Sequence, residues 1–299
     1  MVVTHIFIIK RRGGSSLPER MKSASTPETE EGLQYHLRVK PGDVSRYVLV
    51  PGDPERVKKI ASKWDEAWHV ASHREYTTYT GRYKGVLISA TSTGIGAPST
   101  AIAIEELARV GADTFIRVGT TGALRREIKI GDLIISTGAV RLEGTSKQYV
   151  ITEYPAVASY EVVLALIAAA EELGARYHLG LTASTDSFYV GQERPGFKGY
   201  LPPFNKGLID FLKSVNVLNF EMEAATIFTL ANIYGLRAGA VCAAIANRET
   251  EEFVVDAGVE DAIMVANEAV KILSEWDELK KSLGKKYVSP QLIVKWMKS

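Results

Sequence analysis

Short apolar runs alternate along most of the chain with stretches whose apolar residues recur at helical spacing. Residues 47–50, 86–90 and 115–118 are predicted as buried strands, and residues 100–110 as a helix that packs against the sheet. Strands and helices that follow one another at this short spacing are typical of a parallel sheet with right-handed crossovers. The pattern therefore predicts an α/β fold.

The same alternation continues through the second half of the chain. The remaining strands are predicted at residues 131–136, 178–183 and 239–246, and the remaining helices at residues 160–173, 204–215, 224–234 and 256–273. Residues 219–223 are predicted to open a helix, and residues 274–285 to form a charged, frayed helix end. An antiparallel edge hairpin is predicted around residues 78–83. Prolines and glycines at residues 195–206 favour a flap.

No internal repeat or linker divides the chain, so one domain is predicted. An apolar fraction of 46% is enough for a large core in 299 residues. Residues 1–30, rich in arginine, glycine and serine, cannot bury enough apolar surface to order themselves. We therefore predict a flexible tail at residues 1–30 and the domain at residues 31–299.

Charge and cysteine content exclude several classes of function. Lysine plus arginine (36) nearly equals aspartate plus glutamate (35), so no net field favours nucleic acid or an anionic membrane. No apolar segment approaches the roughly 20 residues that span a bilayer. The single cysteine, Cys242, reads as a small buried residue and fits a reducing compartment. We predict a cytoplasmic protein with no nucleic-acid or membrane partner.

The end of the strand at residues 115–118 carries the first candidate chemistry. Arg117 is followed by Gly119-Thr120-Thr121-Gly122, predicted as the loop that leaves the carboxyl end of the strand. Open α/β sheets bind ligands at that edge, and a guanidinium with two hydroxyls and free amides suits an anion, phosphate first. Alternatively, Arg117 pairs with a buried carboxylate and the glycines only turn the chain. This stretch alone supports both interpretations equally.

A second anion-binding element is predicted where the strand at residues 47–50 meets the next helix. Asp53 occupies the N-cap position and Pro54 the first helical position, so the helix begins there. The free amides near Gly52 and the guanidinium of Arg56 one turn later favour an anion. The same Gly-Asp-Pro sequence is also common in ordinary turns.

Phe188, Gln192 and Arg194 combine an aromatic face, an amide and a guanidinium within seven residues. Such a set can stack on a planar heterocycle and read its edge. The glutamine can accept from N3–H of uracil and donate to a neighbouring carbonyl, while the arginine suits O4 and rejects the amino group of cytosine. Alternatively, the segment is a polar loop without a ligand.

Glu221 and Glu223 flank Met222 at a predicted helix start. Acidic residues there simply suit the helix dipole. A carboxylate that faces inward can instead accept hydrogen bonds from the 2′- and 3′-hydroxyls of ribose, with Met222 packing on the sugar. Both interpretations stay open at this point.

From His36 to the last long helix, the chain resembles the nucleoside phosphorylase family. The motifs that carry the resemblance are Gly52-Asp53-Pro54-Glu55-Arg56-Val57, Ser72-His73-Arg74-Glu75-Tyr76-Thr77-Thr78, Ser92-Thr93-Gly94-Ile95-Gly96-Ala97-Pro98-Ser99, Arg117-Val118-Gly119-Thr120-Thr121-Gly122, Phe188-Tyr189-Val190-Gly191-Gln192-Glu193-Arg194, Glu221-Met222-Glu223 and Asn247-Arg248. Each motif is weak alone, and their order along one chain makes the match specific. The resemblance implies a single three-layer α/β/α domain with a central mixed, largely parallel sheet.

The resemblance also implies an activity, the phosphorolysis of uridine to uracil and ribose 1-phosphate, with phosphate as co-substrate and no required cofactor. The phosphate site of the family corresponds to Gly52, Arg56, Arg117 and Thr120, with Arg74 from a neighbouring subunit. The ribose site corresponds to Thr120, Met222 and Glu223, with His36 from the neighbour. The base site corresponds to Thr121, Gly122, Phe188, Gln192, Arg194 and Glu221.

By the same resemblance, Gln192, Arg194 and Arg248 are the catalytic residues that stabilise negative charge on the leaving uracil. Purine enzymes of the family carry a Ser-Asp pair where this chain has Asn247-Arg248, which favours a pyrimidine substrate. Members are usually homo-hexamers, trimers of dimers that share active sites. Some bind a potassium ion at the dimer interface, at positions that correspond to Glu75, Ile95 and Ser99.

Three alternatives remain at the level of the sequence. A purine or broad-specificity nucleoside phosphorylase would have the same fold. A hydrolytic nucleosidase would use water and would not need Arg56, Arg74 and Arg117 together. A non-catalytic nucleoside-binding protein would carry the same residues without turnover.

Overall fold

The computed structural model describes residues 20–298. Its strands are β1 (Tyr47–Leu49), β2 (Glu66–His73), β3 (Tyr76–Tyr83), β4 (Val86–Thr91), β5 (Thr114–Ala123), β6 (Leu133–Arg141), β7 (Ala156–Val157), β8 (Tyr177–Ser184), β9 (Val217–Glu221), β10 (Arg237–Asn247) and β11 (Glu252–Phe253). Its helices are α1 (Pro54–Ala61), α2 (Ala97–Arg109), α3 (Ser146–Tyr149), α4 (Tyr160–Glu172), α5 (Leu208–Ser214), α6 (Ala224–Tyr234), α7 (Val259–Ser282) and α8 (Pro290–Trp296).

One mixed sheet of eleven strands organises the described part of the chain. At its centre β5, β10, β6, β8 and β9 pair in sequence, and β9 returns to β5, so these strands close a ring. β1, β4, β3 and β2 extend from β5 to the edge, where β2 and β3 form the predicted hairpin. Helices pack on the sheet around buried Phe115, Leu107 and Phe228. The predicted α/β/α fold is confirmed.

The junction of β1 and α1 forms as predicted. The carboxylate of Asp53 accepts a hydrogen bond from the amide of Glu55 at 2.9 Å, and Pro54 occupies the first turn. Val57 and Ile60 then face the core and are fully buried. A local capping signal therefore places the start of this helix beside the carboxyl end of β1.

The prediction of a loop at Gly119-Thr120-Thr121-Gly122 is wrong, because β5 continues to Ala123. β10 pairs with β5 in parallel as far as Ala123, and β9 pairs antiparallel with Gly122 and Ala123. These neighbours take up the backbone hydrogen bonds that a loop would leave free. The register of β10 shifts between Ala244 and Ala246, as in a β-bulge, next to the end of β5.

The helix predicted at residues 224–234 is confirmed, but the strand that leads into it was not predicted. Residues 217–221 form β9, between β8 and β5, and the helix begins only at Ala224. Asn219, Phe220 and Glu221 are all buried, which the ring explains because β9 has a neighbour on each side. The acidic pair Glu221 and Glu223 therefore stands at a strand-to-helix junction.

The helical structure at the C-terminal end of the domain is more extensive than predicted. α7 runs unbroken to Ser282, because Trp276 is buried and Lys280 forms ion pairs with Glu161 and Asp277. α8 follows and was not predicted. Within the predicted tail, Glu28 pairs with Gln34 in an isolated β-bridge. Residues 1–19 lie outside the described range, so the tail and the boundary at residue 30 stay predictions.

No helix between residues 20 and 298 is long and apolar enough to cross a membrane.

Candidate active site

A cavity of about 620 Å³ opens where β1, β5, β9 and β10 end. This is the sheet edge at which ligands bind in open α/β folds, and its size suits a small molecule. The predicted site residues that line it are Gly52, Arg56, Arg117, Thr120, Thr121, Gly122, Phe188, Gln192, Arg194, Glu221, Met222 and Glu223, together with Glu75 and Ile95. His36, Arg74, Ser99 and Arg248 lie outside the lining.

Arg117, in β5, is buried between two carboxylates. Its Nε lies 2.7 Å from Oε2 of Glu221 and its Nη2 lies 2.5 Å from Oε2 of Glu223. The predicted pairing of Arg117 with a buried carboxylate is thus confirmed. However, Nη1 is buried and has no hydrogen-bond partner among residues 20–298. Because a buried donor without a partner costs about 1–3 kcal/mol, this nitrogen suits an acceptor on a ligand in the cavity.

A glycine in β5 makes room for this guanidinium. A Cβ atom on Gly119 would lie 2.7 Å from Sγ of Cys242 and 2.9 Å from Cζ of Arg117. Cys242 lies opposite Gly119 on β10 and is fully buried, and burial raises the pKa of its thiol to about 11. Cys242 is therefore a neutral residue that fills space, as predicted.

Arg56 brings a second guanidinium to the same side of the cavity. It is buried, and its Nη1 donates to the carbonyl of Val118 at 3.2 Å. Burial and the nearby charge of Arg117 lower the pKa of Arg56. Gly52 permits the close approach of the neighbouring loop, since a Cβ atom there would lie 3.1 Å from the carbonyl oxygen of Gly94. Two like charges that converge in this way favour an anion between them.

The two carboxylates change the charge of this cluster. Burial lowers the pKa of Arg117, but Glu223 and Glu221 outweigh burial and the pKa is raised. Burial raises the pKa of Glu223, and the charge of Glu221 adds to this effect while Arg117 opposes it. The net direction of these effects is a raised pKa for Glu223.

Glu221 and Glu223 also organise the junction of β9 and α6. Oε2 of Glu221 accepts from the amides of Glu223 and Ala224 at 2.8 and 2.9 Å, and Oε1 accepts from the hydroxyl of Ser184. Oε1 of Glu223 accepts from the amide of Gly96 at 2.6 Å. Glu221 therefore accepts from amides at the start of α6, which agrees with the interpretation by the helix dipole, while its contact with a base stays a prediction.

Gln192 and Arg194 lie side by side at the other end of the cavity. Nη1 of Arg194 donates to Oε1 of Gln192 at 2.5 Å, and Nε2 of Gln192 donates to Oγ1 of Thr185 at 3.1 Å. The guanidinium carbon of Arg194 lies 4.1 Å from the ring centroid of Phe188, a cation–π contact. One face of Phe188 is thus covered by Arg194, while 43% of the residue remains exposed. Burial and the charge of Arg248 lower the pKa of Arg194 to about 10.

The end of β5 forms the floor between these two groups. The hydroxyl of Thr121 donates to the carbonyl of Phe220 and accepts from Nδ2 of Asn219 at 2.7 Å, so it is engaged within the protein. Gly122 lies beneath Arg194, since a Cβ atom there would lie 3.5 Å from Nη2. Thr120 is only partly buried and faces the cavity.

Arg248 acts on the site through the backbone of Gln192. Its Nη1 donates to the carbonyl of Gln192 at 2.7 Å. The adjacent Asn247 has both its donors and its oxygen engaged with the backbone of neighbouring turns. Asn247 therefore shapes the end of β10, and the catalytic role of Arg248 stays a prediction.

His36 and Arg74 lie close to each other, away from the cavity of their own chain. Nδ1 of His36 lies 2.6 Å from Oε1 of Glu106, and the carbonyl of His36 lies 2.9 Å from Nδ1 of His73. Arg74 lies over the ring of Tyr35 and donates to its hydroxyl at 3.4 Å. This placement agrees with the prediction that both residues serve a neighbouring subunit, which stays a prediction.

Ser184, Thr185 and Asn219 orient site residues and were not predicted. The sequence shows them only as polar residues next to strands. Their partners lie far away along the chain: Ser184 contacts Glu221, and Asn219 contacts Thr121. Only the pairing of β8 with β9 and of β9 with β5 brings these residues together.

Comparisons with known proteins agree with this geometry. The family model described as the phosphorylase superfamily matches residues 46–275. The uridine phosphorylase of Thermococcus kodakarensis is 68% identical over 272 residues, which cover 91% of the chain and 98% of that protein. The uridine phosphorylase of Escherichia coli is 43% identical, over 81% of the chain and 95% of that protein. The guanosine phosphorylase of Halorubrum lacusprofundi is 44% identical, over 70% of the chain and 81% of that protein.

Proposed function

Because the chain belongs to the phosphorylase superfamily, we propose that it cleaves uridine with phosphate to give uracil and ribose 1-phosphate. Phosphate is the co-substrate, and phosphorylases of this family need no cofactor. Pyrimidine salvage is the role that this reaction serves.

The fully buried neutral Cys242 is compatible with a cytoplasmic location, which we also propose.

The observation that carries the proposal is the order of hydrogen-bonding groups on Gln192 and Arg194. Gln192 uses one amide hydrogen for Thr185 and one acceptor position for Arg194, which leaves one donor and one acceptor free. Along this edge the groups run donor, acceptor, donor: Nε2, Oε1 and the guanidinium. The free edge of uracil runs acceptor, donor, acceptor: O2, N3–H and O4. The two edges are complementary.

The phosphate would lie at the other end of the cavity, between Arg56 and Arg117. The free Nη1 of Arg117 and the partly exposed Thr120 offer donors on β5, and Gly52 offers close backbone approach. Charge-assisted hydrogen bonds of this kind are stronger than neutral ones and fix the position of an anion. The ribose then falls between phosphate and base, beside Met222 and Glu223.

This arrangement suits a displacement at C1′ of the ribose. A phosphate oxygen forms the new bond to C1′ as the glycosidic bond breaks, and the bonding electron pair passes to uracil. The negative charge spreads over O2, N3 and O4, where Gln192 and Arg194 can stabilise it. Arg194 remains protonated at neutral pH because its pKa is about 10. Arg248 would hold the backbone of Gln192 in place.

We propose a homo-hexamer built from dimers that share active sites. His36 and Arg74 lie together outside the cavity of their own chain, so a neighbouring subunit could receive both. Arg74 would add a third cation to the phosphate site, and His36 a contact to the ribose. Glu106 accepts from Nδ1 of His36, which leaves Nε2 free for that contact.

A potassium ion at Glu75, Ile95 and Ser99 is a further proposal. These residues surround Gly94: a Cβ atom there would lie 2.8 Å from Cγ of Glu75 and 3.1 Å from Oγ of Ser99. Oγ of Ser99 lies 3.3 Å from the carbonyl oxygen of Ile95. A carboxylate, a carbonyl and a hydroxyl form the all-oxygen donor set that a hard cation prefers. Replacement of potassium by sodium in the assay below tests this proposal.

Two of the three alternatives are less well supported. The relative named guanosine phosphorylase keeps a purine substrate open, but the donor, acceptor, donor edge favours uracil. A hydrolase has no use for two converging buried guanidiniums, one with an unpartnered nitrogen. A non-catalytic binding protein would carry the same residues, so the measurement of turnover below separates it from an enzyme.

The test is the release of free base from uridine and from inosine, each with and without phosphate, followed by chromatography. We expect uracil only when uridine and phosphate are both present. Base release without phosphate would identify a hydrolase. Faster release of hypoxanthine than of uracil would place the protein with the purine enzymes.

A further inference from the structure

We propose that Thr185 is a positioning residue that holds the amide of Gln192 in one orientation and thereby makes the site select uracil over cytosine. This inference rests on the proposed function, because it concerns the base site of that reaction. Thr185 follows directly after β8, is 2% exposed, and is not one of the residues that line the cavity. Its hydroxyl contacts the amide of Gln192, which does line the cavity, from outside the lining.

One end of the Gln192 amide is oriented by Arg194. A guanidinium has only donors, so the amide atom that lies 2.5 Å from Nη1 of Arg194 must be the oxygen. The NH₂ group therefore points the other way, toward Thr185. Rotation of the amide by half a turn would bring two donors face to face at Arg194.

The other end is oriented by the hydroxyl of Thr185. Its oxygen accepts from Nε2 of Gln192 at 3.1 Å, and the carbonyl of Ser187, at 3.5 Å, offers a long contact for its hydrogen. With its hydrogen turned toward that carbonyl, the hydroxyl presents a lone pair to the NH₂ group of Gln192. The amide is thus held at its nitrogen and at its oxygen by groups of opposite kind.

The backbone around this contact is also held. The amide of Thr185 donates to the carbonyl of Glu221 at 3.1 Å, and Arg248 donates to the carbonyl of Gln192. Gly191 lets the turn close, since a Cβ atom there would lie 3.0 Å from Cβ of Ser187. These contacts therefore hold the hydroxyl of Thr185 in place relative to the side-chain amide of Gln192.

This orientation determines which base the site accepts. Cytosine has an acceptor at N3 and an amino group at C4, so it would place an acceptor against Oε1 of Gln192 and a donor against Arg194. Both contacts leave buried polar groups without partners. If the amide could rotate, its NH₂ group would meet N3 of cytosine. Loss of the Thr185 hydroxyl should therefore weaken uracil binding and reduce the preference for uracil.

The experiment compares Thr185→Val, which removes the hydroxyl at similar size, with Thr185→Ser, which retains it. Thr229→Val is the control, because Thr229 in α6 is fully buried and its hydroxyl has no partner in the described structure. Binding of uracil and cytosine is measured by calorimetry, and melting temperatures are recorded. Kinetics with uridine and with phosphate are measured separately.

In Thr185→Val we expect uracil binding and kcat/KM for uridine to fall about tenfold, as for the loss of one buried hydrogen bond. The ratio of uracil to cytosine affinity should also fall, while KM for phosphate stays unchanged. Thr185→Ser and Thr229→Val should resemble the unaltered protein. If Thr185→Val does not fold, Thr185→Ala takes its place in the comparison with Thr185→Ser.

Two results would overturn the inference: an unchanged affinity ratio in Thr185→Val, or an equal loss in Thr185→Ser. Failure of the proposed function has a different signature. It would appear as uracil binding by the unaltered protein without phosphate-dependent turnover, and the binding ratios would still decide the role of Thr185. Absence of uracil binding by the unaltered protein would overturn both.

Discussion

At the scale of single residues, one arginine satisfies two interpretations that the sequence presents as alternatives. Arg117 pairs with Glu221 and Glu223, yet its Nη1 remains without a partner in the part of the chain that the structure describes. Arg56 differs, because its guanidinium donates to the carbonyl of Val118 and no carboxylate among residues 20–298 pairs with it. The two arginines should therefore respond differently to substitution.

Arg56→Met should raise KM for phosphate by at least tenfold, because it removes a charge-assisted contact of about 1.5–3 kcal/mol. Its melting temperature should change little. Arg117→Met should also lose phosphate binding, but at a cost of about 3–5 kcal/mol in unfolding free energy, since two buried carboxylates lose their counter-ion. Phosphate saturation curves and denaturant unfolding measure the two effects.

Arg82→Met is the matched control for these variants, because Arg82 is a half-exposed arginine on β3 that pairs with Glu66 on the surface. It should leave phosphate saturation unchanged. Normal phosphate saturation in Arg56→Met would mean that the phosphate binds elsewhere.

At the scale of elements, the sequence predicts the start of a helix where contacts within one turn determine it. Asp53 and Pro54 begin α1 through contacts within one turn, so the sequence is sufficient there. β5 beyond Val118 and β9 depend on strands that lie far away along the chain, and their glycines and acidic residues resemble loop and helix-start signals. The same distance hides the contacts of Ser184 with Glu221 and of Thr185 with Gln192.

Two glycines of β5 allow a test of this element. Gly119→Ala should displace the guanidinium of Arg117, because its Cβ would lie 2.9 Å from Cζ, and should raise KM for phosphate. Crowding against buried Cys242 should also cost about 1–3 kcal/mol of stability. Gly122→Ala meets nothing closer than 3.5 Å and should raise KM for uridine alone. Steady-state kinetics with each substrate varied in turn separates the two, and a shared effect on phosphate would contradict this assignment.

At the scale of the whole molecule, the closed ring of strands brings together site residues that lie between positions 52 and 223 of one chain. The order of motifs along the sequence predicts that this site exists, and the resemblance to a family predicts its parts. Neither the ring nor the burial of α7 could be predicted, since both depend on packing between distant segments. Four predicted site residues do not line the cavity of this chain, namely His36, Arg74, Ser99 and Arg248, and the resemblance assigns two of them, His36 and Arg74, to a neighbouring subunit.

Mixed oligomers test whether a neighbouring subunit receives them. Arg56→Met and Arg74→Ala should each be nearly inactive alone. In a dimer with one copy of each, one of the two sites combines an intact Arg56 with an intact Arg74 from the other subunit, and the second site has lost both. Random pairing makes half of the dimers mixed, so co-expression should restore about a quarter of the activity of the unaltered protein. No recovery, with mixed oligomers demonstrated by differential tagging, would mean that each chain completes its own site.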